Sequence, residues 1–319
     1  MKKTAKAPSN IAFIKYWGRK NEELRLPENG SISMNLSGLT TTTTVEFGDF
    51  EKDVVKFNGI IEDPKNNRAI KHIDRIRKLA NLNKKVKIET NNNFPTGTGL
   101  SSSASGFAAL TLAASAAAGL KLSEKELSIL ARLGSGSACR SIPDGFTQWL
   151  DGDRSETSYA VSIFPPSYFE IADVVAVVSL DKKFLSTSEG QKSARTSPFF
   201  ETRLANINDK INRIKKAIEE KDFSQFGQLI EEEALEFHSI LFTSRPPLFY
   251  WTPETVKVMK FVKSLRKDGL ECYFTINTGQ DVHVICQKND SEKVSKKLSE
   301  LPEVQKTIIN FPSPGARIV

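Results

Sequence analysis

Residues 91–106 read N-N-N-F-P-T-G-T-G-L-S-S-S-A-S-G, and the rest of the chain takes its meaning from this stretch. Just upstream, Val86-Lys87-Ile88-Glu89-Thr90 alternates apolar and polar, the period of a half-buried strand. Just downstream, Ala104 to Ala118 is alanine-rich and apolar nearly all round, as a buried helix is. A loop of Gly and Ser between strand and helix is suited to anions. Gly97 and Gly99 let the backbone turn tightly and come close to a ligand. The free N–H groups and dipole of the helix start favour a phosphate. Ser101, Ser102 and Ser103 add hydroxyls for phosphate oxygens or a Mg²⁺ ion. The competing reading is an ordinary glycine turn with a serine cap. Three serines, Pro95 at the entrance and a buried helix together favour phosphate. The spacing is neither G-x-x-x-x-G-K-[ST] nor G-x-G-x-x-G, so the usual nucleoside-triphosphate and dinucleotide loops are excluded.

Composition narrows the class. With 319 residues the chain is long enough for one large or two moderate domains. No apolar run approaches the length of a membrane span, and no apolar core follows Met1-Lys2-Lys3, as a signal peptide would require. Cys139, Cys272 and Cys286 lack metal-site spacing and leave one thiol over in any disulfide scheme, which points to the cytoplasm. The net charge of +7 is spread over Lys84-Lys85, Lys182-Lys183, Lys215-Lys216 and Lys296-Lys297. Such scatter fits a solvated surface or a small anionic substrate better than nucleic acid, whose binders cluster charge with aromatics.

Moving outward, the first half reads as strands followed by helices. Ile11 to Ile14 is a strand ending in Lys15, Tyr16, Trp17 and Arg19. Thr40 to Phe47 and Val54 to Phe57 are β-branched strands, the second closed by an Asn58-Gly59 turn. Asn67 to Asn81 has helical spacing. Ser123-Glu124-Lys125-Glu126 is a capping box opening a helix through Leu133. It stops at a second Gly/Ser loop, Gly134-Ser135-Gly136-Ser137, followed by Arg140, whose guanidinium fork matches phosphate or carboxylate. Composition changes at the apolar strand Asp173–Leu180, which sets a boundary near residue 170. Beyond it lie helices over 204–218 and 223–237. A third, capped by Thr252-Pro253-Glu254, carries Val256, Met259, Val262 and Leu265 on one stripe. A hairpin follows, Cys272–Ile276 and Asp281–Cys286 about a turn at Asn277 to Gln280, then a helix near 291–301 and a terminal strand.

Five of these stretches together resemble one family: N-I-A-F-I-K-Y-W-G-R-K, L-P-E-N-G-S-I-S-M-N-L, N-F-P-T-G-T-G-L-S-S-S-A-S-G-F-A-A-L, G-S-G-S-A-C-R-S and C-Y-F-T-I-N-T-G-Q-D-V-H-V. They resemble the mevalonate diphosphate decarboxylases of the GHMP kinase superfamily, from about Ala7 to the C-terminus. The resemblance implies an α+β, two-lobe GHMP kinase fold: a ribosomal-protein-like N-terminal lobe (1–170) and an α/β C-terminal lobe (171–319), with a cleft between them. It implies ATP and Mg²⁺ along the loop of Pro95, Gly97, Gly99 and Ser101 to Ser103, with Ser102 and Ser103 as metal ligands, and a cytoplasmic homodimer. The family phosphorylates a tertiary 3-hydroxyl, after which phosphate and CO₂ leave to give isopentenyl diphosphate. Carried over, Arg140 holds the substrate carboxylate or a phosphate, and Ser135 and Ser137 line the substrate side. Lys15, Tyr16 and Arg19 reach the catalytic centre and the 5-phosphate end, where Arg195 and Arg68 add charge. Trp17 walls the pocket, or simply packs in the core.

Two positions depart from the family. Its hairpin reads F-T-[MIV]-D-A-G-P-N-V, with the Asp facing the 3-hydroxyl as base; here that residue is Asn277, an amide that accepts no proton at neutral pH. Either Asp281 replaces the base, or positioning alone carries phosphoryl transfer, or the Asn is an inactivating or engineered change. Gly30, with the terminal P-G-A-R, is similar to the branch acting on mevalonate 5-phosphate, so both the monophosphate and the diphosphate stay open as substrate. Two rivals remain: a kinase that stops at the 3-phosphate, and an RNA-binding protein sharing the first lobe's fold.

Overall fold

The computed structural model describes residues 1–95, 97, 99–181 and 186–319. Thr96, Thr98 and the expected surface pair Lys182-Lys183 lie outside the described residues. Among the described residues, two sheets form the frame. The main path of the first runs Arg317–Ile318, Lys2–Ile14, Ser31–Gly48, Lys85–Asn92, Val54–Phe57, Ile60–Glu62, with Phe146–Trp149 and Ala160–Phe164 added beyond one end of Ser31–Gly48. The second runs Cys272–Thr275, Val282–Gln287, Ile171–Val177, Lys306–Asn310, all antiparallel.

The long strand Ser31–Gly48 shows why its sequence is threonine-rich. Leu39, Thr41, Thr43, Val45 and Phe47 turn inward on alternate positions, and the residues between them face partly outward. Thr41 bonds both Asn92 and Ser105, and Thr43 bonds Thr90, so the buried hydroxyls are satisfied across the sheet and against the helix above it. That helix, Ser102–Ala117, lies over the first sheet, where Ala113, Ala114 and Ala117 pack on Val45, Val86 and Ile88. Its alanines let the backbone come close to the strands.

The expected elements appear, several of them longer than predicted. The first strand starts at Lys2 rather than Ile11. The helix expected from Ala104 starts at Ser102, so the serines form its first turn. The Asn58-Gly59 turn has both residues at positive φ, 47° and 84°, as its hairpin twist requires. The capping box at Ser123 and Glu126 is present. In the helix Pro253–Lys267, Val256 is exposed and Val258 takes the buried place. The last residues recross: Ala5 and Lys6 pair with Ile318 and Arg317, so the C-terminus closes the edge of the first sheet.

One core joins the two sheets. Ile11, Phe13 and Met34 from the first meet Val175 and Val177 from the second, with Ile207, Ile214 and Phe226 from the helices Phe200–Glu219 and Phe223–Thr243. The first strand therefore ends deep in the molecule, and its terminus is where the cleft begins.

Candidate active site

The glycine-serine loop sits at the mouth of the helix as the sequence predicts. Gly97 and Gly99 both have positive φ, 83° and 119°. Ser101 has φ 57° and ψ 34°, a left-handed conformation costly for a side chain with a Cβ, and its hydroxyl does not cap the helix. The Ser101 Oγ instead accepts from Asn277 Nδ2 at 3.1 Å, across to the second lobe. A Cβ on Gly99 would lie 2.6 Å from the Gly279 Cα, so the loop rests backbone to backbone on the hairpin turn. Ser9 Oγ donates to Leu100 O at 2.6 Å, tying the loop to the first strand. Ser103 and Ser135 hydroxyls meet at 3.2 Å, which brings the two Gly/Ser loops together.

Lys15 stands at the end of the first strand. Its backbone is held by buried ions: Glu233 accepts from the Lys15 N–H and pairs with Arg203 and Lys210, and Arg203 Nη2 donates to Lys15 O at 3.0 Å. Its Nζ donates to Ala12 O (2.5 Å), Thr275 Oγ1 (2.8 Å) and Asn277 Oδ1 (3.3 Å). A lysine only donates as an ammonium, so the amide oxygen of Asn277 faces it and the NH₂ faces Ser101. Burial lowers the Lys15 pKa to about 7; Glu233 and Asp173 oppose the shift, Arg140 and Arg203 add to it. His238 Nε2 meets the Asn277 carbonyl at 3.2 Å, and burial holds its pKa down at about 3, so it bonds there as a neutral ring.

Arg140 is buried in the wall, with Nη1 on Ser31 Oγ (2.9 Å) and Nη2 on Asn10 Oδ1 (3.0 Å). Both partners are neutral, and its Nε has no protein partner among the described residues. A buried guanidinium without a carboxylate is costly until an anion arrives. Further out, Arg68 donates to Gly134 O and lies over the Phe107 ring, and Tyr16 Oη accepts from Arg19 at 2.7 Å. Arg25 is lowered to about 10, by burial first and then by Arg19 and Arg68.

These groups line one cavity of about 720 Å³. Lys15, Arg19, Arg25, Arg68, Lys71 and Arg140 face it, with Ser101 to Ser103, Ser135, Ser137 and Asn277, and no carboxylate is among its described lining residues. A second, mainly apolar cavity of about 280 Å³ opens beside it over Val55, Ile88 and Phe107 and shares Arg68, Ser102 and Ser103.

Four expected site residues stand outside the cavity wall. Trp17 is fully buried among Phe200, Phe237, Leu248 and Tyr250, so it packs the core behind the cavity. Arg195 pairs with Glu28 and Glu201, has a side chain 59% exposed and is not part of the cavity wall. Asp281 is buried and accepts from the Val178 N–H at 3.0 Å; it fastens the hairpin to the neighbouring strand, because the turn sends positions 277 and 281 in different directions. Pro95 is described but is not in the lining, whereas Gly97 and Gly99 are. Conversely, Asn10, Ser31 and Thr275, which lie within the family stretches but had no role assigned there, and Arg25 and Lys71, which lie outside them, belong to the site. The nearest signal for Asn10 and Ser31 is a polar residue inside an otherwise apolar strand.

A glycine-serine loop on a helix start, closed by a second-lobe hairpin over a cation-lined cavity, is the two-lobe arrangement of the GHMP kinase superfamily. The family model described as diphosphomevalonate decarboxylase-like N-terminal domain matches residues 7–160, and that of the mevalonate 5-diphosphate decarboxylase C-terminal domain matches 173–314. The chain belongs to the diphosphomevalonate decarboxylase family. It is 36% identical over 309 residues to the diphosphomevalonate decarboxylase of Candida albicans, covering 90% of this chain and 85% of the relative. Among solved structures, the mevalonate diphosphate decarboxylase from Staphylococcus aureus superimposes with TM-score 0.94 at 37% identity, covering 100% of this chain and 98% of that one. The one from Enterococcus faecalis gives 0.92 at 38%, covering 100% and 99%.

Proposed function

We propose that this chain uses ATP to phosphorylate the 3-hydroxyl of mevalonate 5-diphosphate, then expels that phosphate and CO₂ to give isopentenyl diphosphate. The observation that carries the reading is the cavity: among its described lining residues six cations and no carboxylate surround a glycine-serine loop, a setting for a polyanion. A related structure holds MVAPP, AMPPCP and magnesium together, at TM-score 0.93 and 38% identity. In this reading the apolar side cavity takes the nucleoside, and Gly97 to Ser103 takes its phosphates. Arg140 grips the carboxylate, with Ser135, Ser137 and Tyr16 beside it. Arg19, Arg25 and Arg68 hold the 5-diphosphate, and that density of charge supports the diphosphate over the monophosphate.

Among the described residues no group of three or more His, Cys, Asp or Glu gathers to hold a metal. The Ser102 and Ser103 hydroxyls, both lining the cavity, are hard oxygen donors of the kind a phosphate-bound Mg²⁺ accepts alongside water. When bound, magnesium neutralises phosphate charge. Tertiary alcohols leave poorly and phosphate leaves well; the developing positive charge at C3 is relieved by electrons from the departing carboxylate. We further read the chain as two lobes meeting near residue 170, and as a cytoplasmic homodimer, in keeping with its three buried free thiols.

Incubation with ATP-Mg²⁺ and mevalonate, its 5-phosphate or its 5-diphosphate, followed by mass spectrometry and CO₂ measurement, tests this. ADP, CO₂ and isopentenyl diphosphate from the diphosphate are expected. A stable 3-phosphate without CO₂ would reduce the activity to a kinase, and preference for the monophosphate would reassign the substrate. Salt-sensitive RNA binding without ATP turnover would replace the reading altogether; the inward-facing cations argue against it.

A further inference from the structure

We propose that the side-chain amine of Lys15 receives the proton of the substrate's 3-hydroxyl, a task that a carboxylate at position 277 could perform and an amide cannot. The inference rests on the reaction proposed above and adds the group that completes it.

The described lining residues include no Asp, Glu or His. Asp281 is turned to Val178 N. Glu233 is buried and holds Arg203, Lys210 and the Lys15 N–H. His238 sits on the far side of Asn277, on its carbonyl. Tyr16 lines the cavity, but its phenol accepts from Arg19, and burial raises its pKa, against the phenolate. What remains beside Asn277 is the Lys15 amine.

Geometry favours the same atom. Of the three partners of Lys15 Nζ, Ala12 O and Thr275 Oγ1 are near, at 2.5 and 2.8 Å, and Asn277 Oδ1 is farthest, at 3.3 Å. Ala12, Lys15 and Asn277 line the cavity and Thr275 does not; of the two cavity-side partners Ala12 O is held closely and Asn277 Oδ1 is the looser, so the contact to Asn277 is the one that yields to substrate. An incoming hydroxyl takes that place on the nitrogen, and Asn277 keeps its bond to Ser101 on the phosphate loop. The surrounding charges also permit a neutral amine. Arg140 and Arg203 face Lys15 and, with burial, disfavour the ammonium. The opposing charges are Glu233 and Asp173. Glu233 is engaged by cations, and Asp173 is bonded by His283 and Asn310. Bound phosphates act in the other direction, so the lysine titrates higher in the ternary complex than in the free protein.

The step balances. The nitrogen lone pair takes the hydroxyl proton as the 3-oxygen bonds to the γ-phosphorus and the bond to ADP breaks, its electron pair leaving with ADP. The C3–O bond then breaks toward phosphate, the C1–C2 pair becomes the new double bond, and CO₂ departs. The ammonium proton passes to the departing phosphate or to water.

Single-turnover ADP formation in Lys15→Arg, Lys15→Ala and the double variant Lys15→Arg/Asn277→Asp tests this, beside the unmodified chain. Arginine keeps the cation but does not deprotonate. Loss of about 10²- to 10⁴-fold is expected for Lys15→Arg while ATP-analogue binding persists. The double variant should recover at least about tenfold, and small primary amines should rescue Lys15→Ala in proportion to their neutral fraction. The acid limb of kcat/KM in the unmodified chain should lie near the Lys15 value of about 7, and that of kcat higher. Lys15→Arg within about threefold of the parent overturns the proposal, and so does Lys15→Ala without amine rescue. The unmodified chain reports separately on the reaction: absence of ADP and CO₂ there refutes the functional reading, whatever the variants do.

Discussion

Replacing Gly99 with alanine isolates the contact on which the cleft closes. Two costs are set by its surroundings. Its φ of 119° is a region L-residues seldom adopt, worth about 1–3 kcal/mol of strain. The added Cβ would also stand 2.6 Å from Gly279 Cα, against the 3.4 Å at which ordinary contact begins. Both partners are backbone, so no flexible side chain yields; the loop and the hairpin turn must separate by roughly 1 Å. Asn277 and Ser101 bridge the same junction, so the shift reaches the groups proposed to surround the γ-phosphate. Misplacement of that size costs about 10²-fold in rate when reacting groups must be aligned. Gly59→Ala is the control, since Gly59 has φ +84° but nothing within 4 Å of its Cβ. Stopped-flow nucleotide binding, single-turnover ADP formation and thermal melts should show Gly59→Ala losing only stability and Gly99→Ala losing turnover as well. Gly99→Ala with turnover within twofold of the parent would refute the argument that this contact aligns the site.

Arg140→Lys keeps a charge but gives up the fork that spans Ser31 and Asn10, and turnover should fall at least about tenfold with a normal melting curve. Asp281→Ala strips the acceptor from a buried N–H; denaturant melts should show a loss of about 1–3 kcal/mol, while specific activity of the folded protein stays close to the parent's. Lys15→Met should alter how stability depends on pH. The folded pKa of about 7 lies below the ordinary 10.5, so the unfolded chain binds more protons between those values and stability rises with pH across that window. The penalty of burying Lys15 is full below pH 7 and gone above pH 10.5; melts from pH 6 to 10 should rise in the parent and flatten in Lys15→Met.

Local chemistry in the sequence was enough to place the glycine-serine loop before its buried helix, the capped helix after Ser123, the Asn58-Gly59 hairpin and the second-lobe hairpin. Each depends on residues a few positions apart: glycines at positive φ, a serine three before a glutamate, alternating apolar side chains. The family motifs likewise placed Lys15, Arg140, Ser135 and Asn277 at one site. Tertiary structure alone decided which way the other side chains face. Asp281 lies four residues from Asn277, yet the turn sends it to Val178; Arg195 found surface carboxylates at Glu28 and Glu201; Trp17 faced the core. The charge balance of the cleft also depended on long-range packing. Arg203 and Glu233 meet behind the end of the first strand, and Asn10 and Ser31 hold Arg140 from strands far apart in sequence. A lysine's acidity depends on every charge and every layer of protein around it, which no spacing along the chain encodes.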